Sequence, residues 1–220
     1  MQTSTGRAFS FHQPDVETSH LFTEIAPSLA RLPRFNGHTA EFFSVAQHSV
    51  LCAQAAEDET GDLELAAYCL LNDAHKAYTG ETPYPMVEAI AEALAQGVRQ
   101  KVVQIVGEAR AQQYRSDRHR IRAGIDSVIA HAAGLDNEGW MHHRETVCRI
   151  DLRAFWTERE DLMVAGALRW NPPIEATSLL PVRTGRIVPL DEAKAHTLFV
   201  DTLQRLCPAT AATAANPAGL

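Results

Sequence analysis

Cysteine is scarce in this chain and scattered. Cys52, Cys69, Cys148 and Cys207 stand far apart with no CxxC pair, so they read as core packing in a reducing compartment. Long apolar runs are missing as well. No stretch approaches the roughly 18 apolar residues that a membrane span needs. The opening Met-Gln-Thr-Ser-Thr-Gly-Arg lacks the apolar core of a signal segment. A soluble, cytoplasmic protein with no membrane partner is the expectation. Basic residues are outnumbered, 20 Lys and Arg against 27 Asp and Glu, for a net charge of −7. That balance argues against a surface for long nucleic acid but leaves room for a nucleotide in a local basic pocket. Internal repeats are absent, and so is any series of strands.

What the chain does have is helical periodicity. Its 220 residues, 45% hydrophobic, suffice for one domain with its own core. We expect an all-α domain over 1–207, with an N-terminal arm that could form a hairpin, and a disordered Ala/Thr/Pro-rich tail over 208–220. Thr18 or Ser19 is placed to cap a helix that Pro33 ends, with a kink at Pro27. Ser44 is placed to cap a helix from 45 to about 56. Further helices are expected over 62–78, 86–113 (with Gly97 and Gly107 as breaks), 121–133, 138–165 and 191–206. The basic run Arg115, Arg118, His119, Arg120 and Arg122 reads as a solvated helix face. The stretch from Trp170 to Pro189 reads as loop. His142 and His143 read as exposed.

The polar groups that interrupt apolar helix faces are more informative. The stretch Leu70-Leu71-Asn72-Asp73-Ala74-His75-Lys76-Ala77-Tyr78-Thr79-Gly80-Glu81-Thr82-Pro83 begins as a buried helix and turns polar just before glycine and proline end it. His48 lies beside a small-residue face formed by Val45, Ser49, Cys52 and Ala56. Asp151 is embedded in the apolar part of its helix. The gaps are long, so these groups meet only if three helices pack side by side. An imidazole with carboxylates suits a divalent ion with water in an open position, and such an ion favours phosphoester hydrolysis.

Phe43-Ser44-Val45-Ala46-Gln47-His48-Ser49-Val50 resembles the first histidine motif of the HD-domain phosphohydrolases. The Leu70–Pro83 stretch resembles their His-Asp helix and turn. Arg149-Ile150-Asp151, followed by Thr157-Glu158-Arg159-Glu160-Asp161-Leu162-Met163, resembles their closing Asp helix. The loop Arg34-Phe35-Asn36-Gly37 is similar to the one that brings an arginine and an aromatic ring to the substrate, and Gly6-Arg7 and the segment from Gly185 to Pro189 are similar too. The resemblance spans roughly residues 4–207, and it is closest to the nucleotidases and nucleotide phosphohydrolases of that superfamily. It implies an HD-type helical bundle and metal-dependent hydrolysis of a nucleotide or another phosphorylated small molecule. It is also compatible with a homodimer.

Carried over position by position, the resemblance makes His48, Asn72, Asp73 and Asp151 the metal positions, for Mn, Co, Mg or Zn. Arg34 and Phe35 fall at substrate positions, and Lys76 and Glu81 at catalytic ones. Three departures stand out. Asn72 replaces the family's second histidine, and an amide oxygen is a weaker ligand than imidazole. Lys76 replaces the glutamate that handles the attacking water, and a lysine ammonium has no acceptor for a proton. Glu81 replaces a shorter aspartate. A second function class is therefore expected beside the first, an eroded HD fold that binds a nucleotide or a protein partner without hydrolysis, with the Lys76 charge in place of the metal's.

Overall fold

A computed structural model describes residues 1–96, 101–164, 166 and 177–210, with the side chains of 101–105 left aside. Within them the protein is all-α, and the only extended pairing is two isolated bridges, Gln2 with Ala8 and Pro33 with Ser44. The first helical stretch, α1, covers 18–31. It is α-helical over Thr18–His20, π-helical over Leu21–Ile25 and α-helical again over Ala26–Arg31. The wide turn lies just before Pro27, which offers no N–H to the preceding turn. The Thr23 carbonyl that would have met that N–H accepts instead from the Ser4 hydroxyl at 3.4 Å. The helix begins at Thr18 itself, after Glu17, because the Thr18 hydroxyl is committed to the Ala132 carbonyl at 2.9 Å.

Helices α2 (Val45–Thr60), α3 (Leu63–Leu71), α4 (Lys76–Thr79), α5 (Tyr84–Gln96), α6 (Lys101–Ala132), α7 (Asn137–Leu162) and α8 (Glu192–Leu206) follow. Short polar side chains set the starts of four of them. Ser44, Asp62, Asp136 and Asp191 each accept from the backbone N–H three residues on. Helices α2 and α3 pack face to face, with α7 against both and α8 closing over α1 and α2. Alanines at 46, 53, 56, 66 and 67, all buried, let the backbones approach closely. Leu29, Phe43, Leu70, Ile129, Ile150, Phe199 and Leu203 fill what remains.

Several expectations are corrected by this arrangement. The 62–78 helix is broken, because residues 72–75 tighten into turns in which Ala74 N–H reaches Leu71 O at 3.0 Å and Lys76 N–H reaches Asp73 O at 3.0 Å. Gly107 does not break a helix. It lies inside α6, where a Cβ would run into the carbonyl of Ala95, so the glycine is what lets α5 and α6 touch. The 121–133 segment is the end of α6 and not a helix of its own. Residues 208–210 form a short 3₁₀ turn with Thr210 fully buried. The rest of the expected tail, Gly97, Ala165 and 167–176, with Trp170, Pro172 and Pro173, lie outside the described residues.

The N-terminal arm is a small hairpin, turned at Gly6 (φ +85), and it is pinned by one buried carboxylate. Glu24 on α1 receives Arg7 at 3.1 and 2.7 Å, Thr3 at 2.7 Å, Thr5 at 2.6 Å and the Tyr78 hydroxyl at 3.0 Å. Phe9 stacks on the Tyr78 ring with centroids 3.9 Å apart. Burial alone would raise the Glu24 pKa, but these donors outweigh it and hold the group at about 2, against an ordinary 4.5. A carboxylate depressed in the folded state stabilises above its unfolded pKa, and that contribution vanishes as pH falls through the folded value. The natural protein should exceed Glu24→Gln in stability by about 3 kcal/mol at pH 7. The difference should shrink below about pH 4.5 and be gone near pH 2. Urea unfolding of both proteins across that range measures it, and a pH-independent difference would refute it.

Candidate functional site

Several segments bring one polar cluster together. His48 comes from α2, and its ring is buried at the contact of α2 with α7. Asp73 comes from the tightened turn after α3 and Lys76 from the start of α4. Asp151 and Glu158 sit two turns apart on one side of α7. Arg34 comes from a 3₁₀ loop, Arg34–Gly37, and Glu81 from the turn after α4. The loop holds an uncommon backbone, with Phe35 at φ 53 and Asn36 at φ 52. Non-glycine residues avoid that region unless the surroundings over-determine it. Here Arg34 N–H bonds Phe43 O at 2.8 Å and Ala40 N–H bonds Leu162 O at 2.9 Å. The Phe35 ring stacks on Phe155 at 5.3 Å while the Arg34 guanidinium lies over it, also at 5.3 Å.

His48 is the centre of the cluster. Its Nδ1 lies 2.5 Å from Glu158 Oε1, and its Nε2 lies 3.0 Å from Asp151 Oδ1 and 3.3 Å from Asp73 Oδ2. Glu158, with no exposed surface, also takes Arg34 at 3.0 Å. Arg34 extends to Glu81 at 3.1 Å and lies 3.7 Å from Asp73. Lys76 Nζ bridges Asp73 at 2.8 Å and Glu81 at 2.7 Å. Most of this is closed to water. The Asp151 side chain, 40% exposed, is where the cluster meets solvent.

The charges decide the protonation states. Burial and Arg34 push the His48 pKa down, but Cys52, Glu158 and Asp151 push it well above its ordinary value and prevail. Burial raises the Cys52 thiol, which keeps it neutral, so the two carboxylates are the physical source of the upward pull. Burial would raise Asp73, yet Lys76, His48 and Arg34 take it well below the usual carboxylate range. Asp151 is lowered by His48 despite burial and the neighbouring Asp73. Glu158 is lowered by Arg34 and His48 against its burial, and Arg34 is raised by the same carboxylates against its own.

The structure thus gathers His48, Asp73, Asp151, Arg34, Lys76 and Glu81 into one network, with Phe35 at its edge. Asn72 turns elsewhere. Its side-chain oxygen and its carbonyl both face Arg122 of α6 at 3.4 Å. Beside Asn72 lies a cavity of about 380 Å³, walled by Tyr68, Leu71 and Trp140 and edged by Arg122, Arg144 and Cys148. The basic run is a solvated face beside neutralising acids, as expected, with Arg115 paired to Glu88, Arg120 to Asp117 and Arg122 to Asp126. Cys148 is exposed, not core. His143 is buried, not exposed, because it packs against Tyr68 across the α3–α7 contact.

Two residues of the cluster escape a reading of the sequence. Glu158 sits in a run of charged residues that resembles any solvated helix end, and only its seven-residue spacing from Asp151 marks it. Cys52, four residues beyond His48, reads as core packing. It is buried, but its Sγ lies 3.7 Å from His48 Nε2. One ligand atom each from His48, Cys52 and Asp151 falls within 4.8 Å of the others, a grouping able to hold a metal ion. The donors fit such an ion on that side of the imidazole, while Lys76 occupies the Asp73 side.

No family model matches this chain. It is similar to an Escherichia coli (strain K12) protein named "Uncharacterized protein YfdR", with 27% identity over 209 residues, covering 94% of each chain. The similarity runs along the whole domain, and the printed name adds no activity.

Removing one partner from a buried ionic network leaves the others uncompensated. Glu158→Ala should therefore destabilise the protein by about 3–5 kcal/mol, because both His48 and Arg34 lose their buried acceptor. Asp151→Ala, at the wet edge, should cost about 1 kcal/mol or less. Chemical unfolding of the two variants side by side tests the ordering, and equal losses would show that Glu158 is not the anchor.

Proposed function

We propose that this protein is a phosphohydrolase-like domain of the HD type that acts on the phosphoester of a nucleotide, with a divalent ion held at His48. The observation that carries the reading is the convergence of His48, Asp73 and Asp151 from three separate elements onto one imidazole nitrogen, at 3.0 and 3.3 Å. The ion supplies a Lewis acid that activates water and neutralises charge on a phosphate oxygen. The chain's own residues do the rest. Glu158 holds the His48 ring through Nδ1 and so fixes its orientation. Arg34 and Lys76 provide fixed positive charge for an anionic phosphate. Asp151, the exposed member, faces the entry side. Phe35 offers a ring over the Arg34 guanidinium for a sugar or base.

A second reading is favoured by one contact. Lys76 Nζ sits between Asp73 and Glu81, where it takes up a carboxylate that would otherwise face an ion. An ammonium cannot accept a proton from water. In this reading the domain binds the nucleotide and does not cleave it. General-base assistance is worth about 10²–10⁴ in rate, so under the first reading turnover is slow and Lys76→Glu accelerates it by a factor of that order.

Phosphate release from ribo- and deoxyribonucleotides, with Mn²⁺, Co²⁺ or Mg²⁺, separates the two. The first reading expects metal-dependent turnover that disappears in Asp73→Ala. Absence of turnover in the natural protein, with turnover restored by Asn72→His together with Lys76→Glu, establishes the second. Absence of both turnover and nucleotide binding overturns both.

A further inference from the structure

The donors around His48 differ in kind from the His and Asp positions that the motif alone would supply. We propose that Cys52 is a metal ligand, and that the site is a three-donor His48–Cys52–Asp151 centre for a thiophilic ion of the zinc or cobalt class, with one position left open. The inference rests on the reading above only in placing an ion at His48. It changes which residues hold that ion and which ion is held.

Distances carry the argument. Zinc binds imidazole nitrogen at about 2.0 Å, carboxylate oxygen at about 2.0 Å and cysteine sulfur at about 2.3 Å, in a tetrahedron. Around such an ion, nitrogen and sulfur stand about 3.5 Å apart, and nitrogen and oxygen about 3.3 Å. The structure places Cys52 Sγ 3.7 Å and Asp151 Oδ1 3.0 Å from His48 Nε2. Both edges that meet at Nε2 match a tetrahedral site to within a few tenths of an ångström, and the third, from Cys52 to Asp151, lies within 4.8 Å. The helix geometry explains the fit, since His48 and Cys52 are four residues apart and share one face of α2.

The surroundings agree. His48 Nδ1 is turned to the buried Glu158, the arrangement that orients a metal-binding imidazole with its Nε2 towards the ion. Asn72 points to Arg122, and Asp73 is taken by Lys76. Two of the four positions marked by the motif are thus occupied elsewhere, and Cys52 supplies a donor that neither of them gives. A thiolate and a carboxylate together balance a divalent charge. As the ion binds, the Cys52 thiol and the His48 Nε2 position each release a proton to solvent. Soft sulfur favours zinc and cobalt over magnesium and manganese, which prefer oxygen. Asp151 is the donor of the three whose side chain reaches solvent.

Titration of the metal-free protein with Co²⁺ under reducing, anaerobic conditions tests this by absorption. The expected result is one equivalent bound, with an intense near-ultraviolet thiolate-to-cobalt band that Zn²⁺ bleaches and Mg²⁺ does not. Cys52→Ser should lose the band and weaken Zn²⁺ by more than the 10- to 100-fold that loss of an outer hydrogen-bond partner costs. Cys148→Ser should keep the band. The cobalt band is read on the natural protein, so this outcome does not depend on any variant folding. Cobalt bound with only weak visible bands, a band that persists in Cys52→Ser, or no cobalt uptake would each overturn the assignment. The phosphate assay is read separately. The charge-transfer band without phosphate release sustains the centre and overturns hydrolysis, whereas metal-dependent release without the band does the reverse.

Discussion

Glu158 has no exposed surface, and it carries a charge that two buried cations share. Taking a carboxylate out of water costs several kcal/mol unless partners repay it. His48 and Arg34 repay it from opposite sides, at 2.5 and 3.0 Å. Those two contacts dictate much else. They hold the loop of Arg34–Gly37 against α7, they set the angle of the imidazole, and they decide which nitrogen faces Asp73 and Asp151. The small alanines that α2 buries give few interlocking side chains to set its register against α7. The ionic contact ties α7 to α2 at one point, through Glu158 and His48.

Around that anchor the charge is nearly self-satisfied. Arg34, Lys76 and protonated His48 face Asp73, Glu81, Asp151 and Glu158. Such a set is expensive to disturb at its centre and cheap at its rim. The chemistry that the site can offer therefore lies on the Asp151 side, where an incoming group exchanges one wet contact and leaves the buried ones intact. Lys76 has a double character in this setting. It neutralises Asp73, and it ties that carboxylate to Glu81 through one ammonium.

Much of the fold is legible in the sequence because capping and periodicity agree there. Ser44 and Asp191 mark helix starts that the structure keeps, and the apolar spacing of α2, α7 and α8 leads directly to the core. The break at 72–75 is not legible, since Asn-Asp-Ala-His continues a helical pattern and the tightening depends on contacts made across the domain. Gly107 misleads for a similar reason. A glycine in a helix looks like a break until a neighbouring backbone is seen to need its space. The site is half legible. His48, Asp73 and Asp151 stand out as polar groups on apolar faces. Glu158 is hidden among charged neighbours, and Cys52 passes for a hydrophobe, because a buried thiol and a ligand look alike until the distance to an imidazole is known.

The four residues of α4 serve two networks at once. Lys76, at one end, reaches Asp73 and Glu81, while Tyr78, two residues on, reaches Glu24 and the stacked Phe9 of the N-terminal hairpin. A single residue gained or lost between Asn72 and Glu81 would turn one of these side chains away from its partners. The constraint is on length, and it is stricter than any constraint on composition. Side chains of this segment that reach neither network can change, yet the segment has little freedom to grow or shrink.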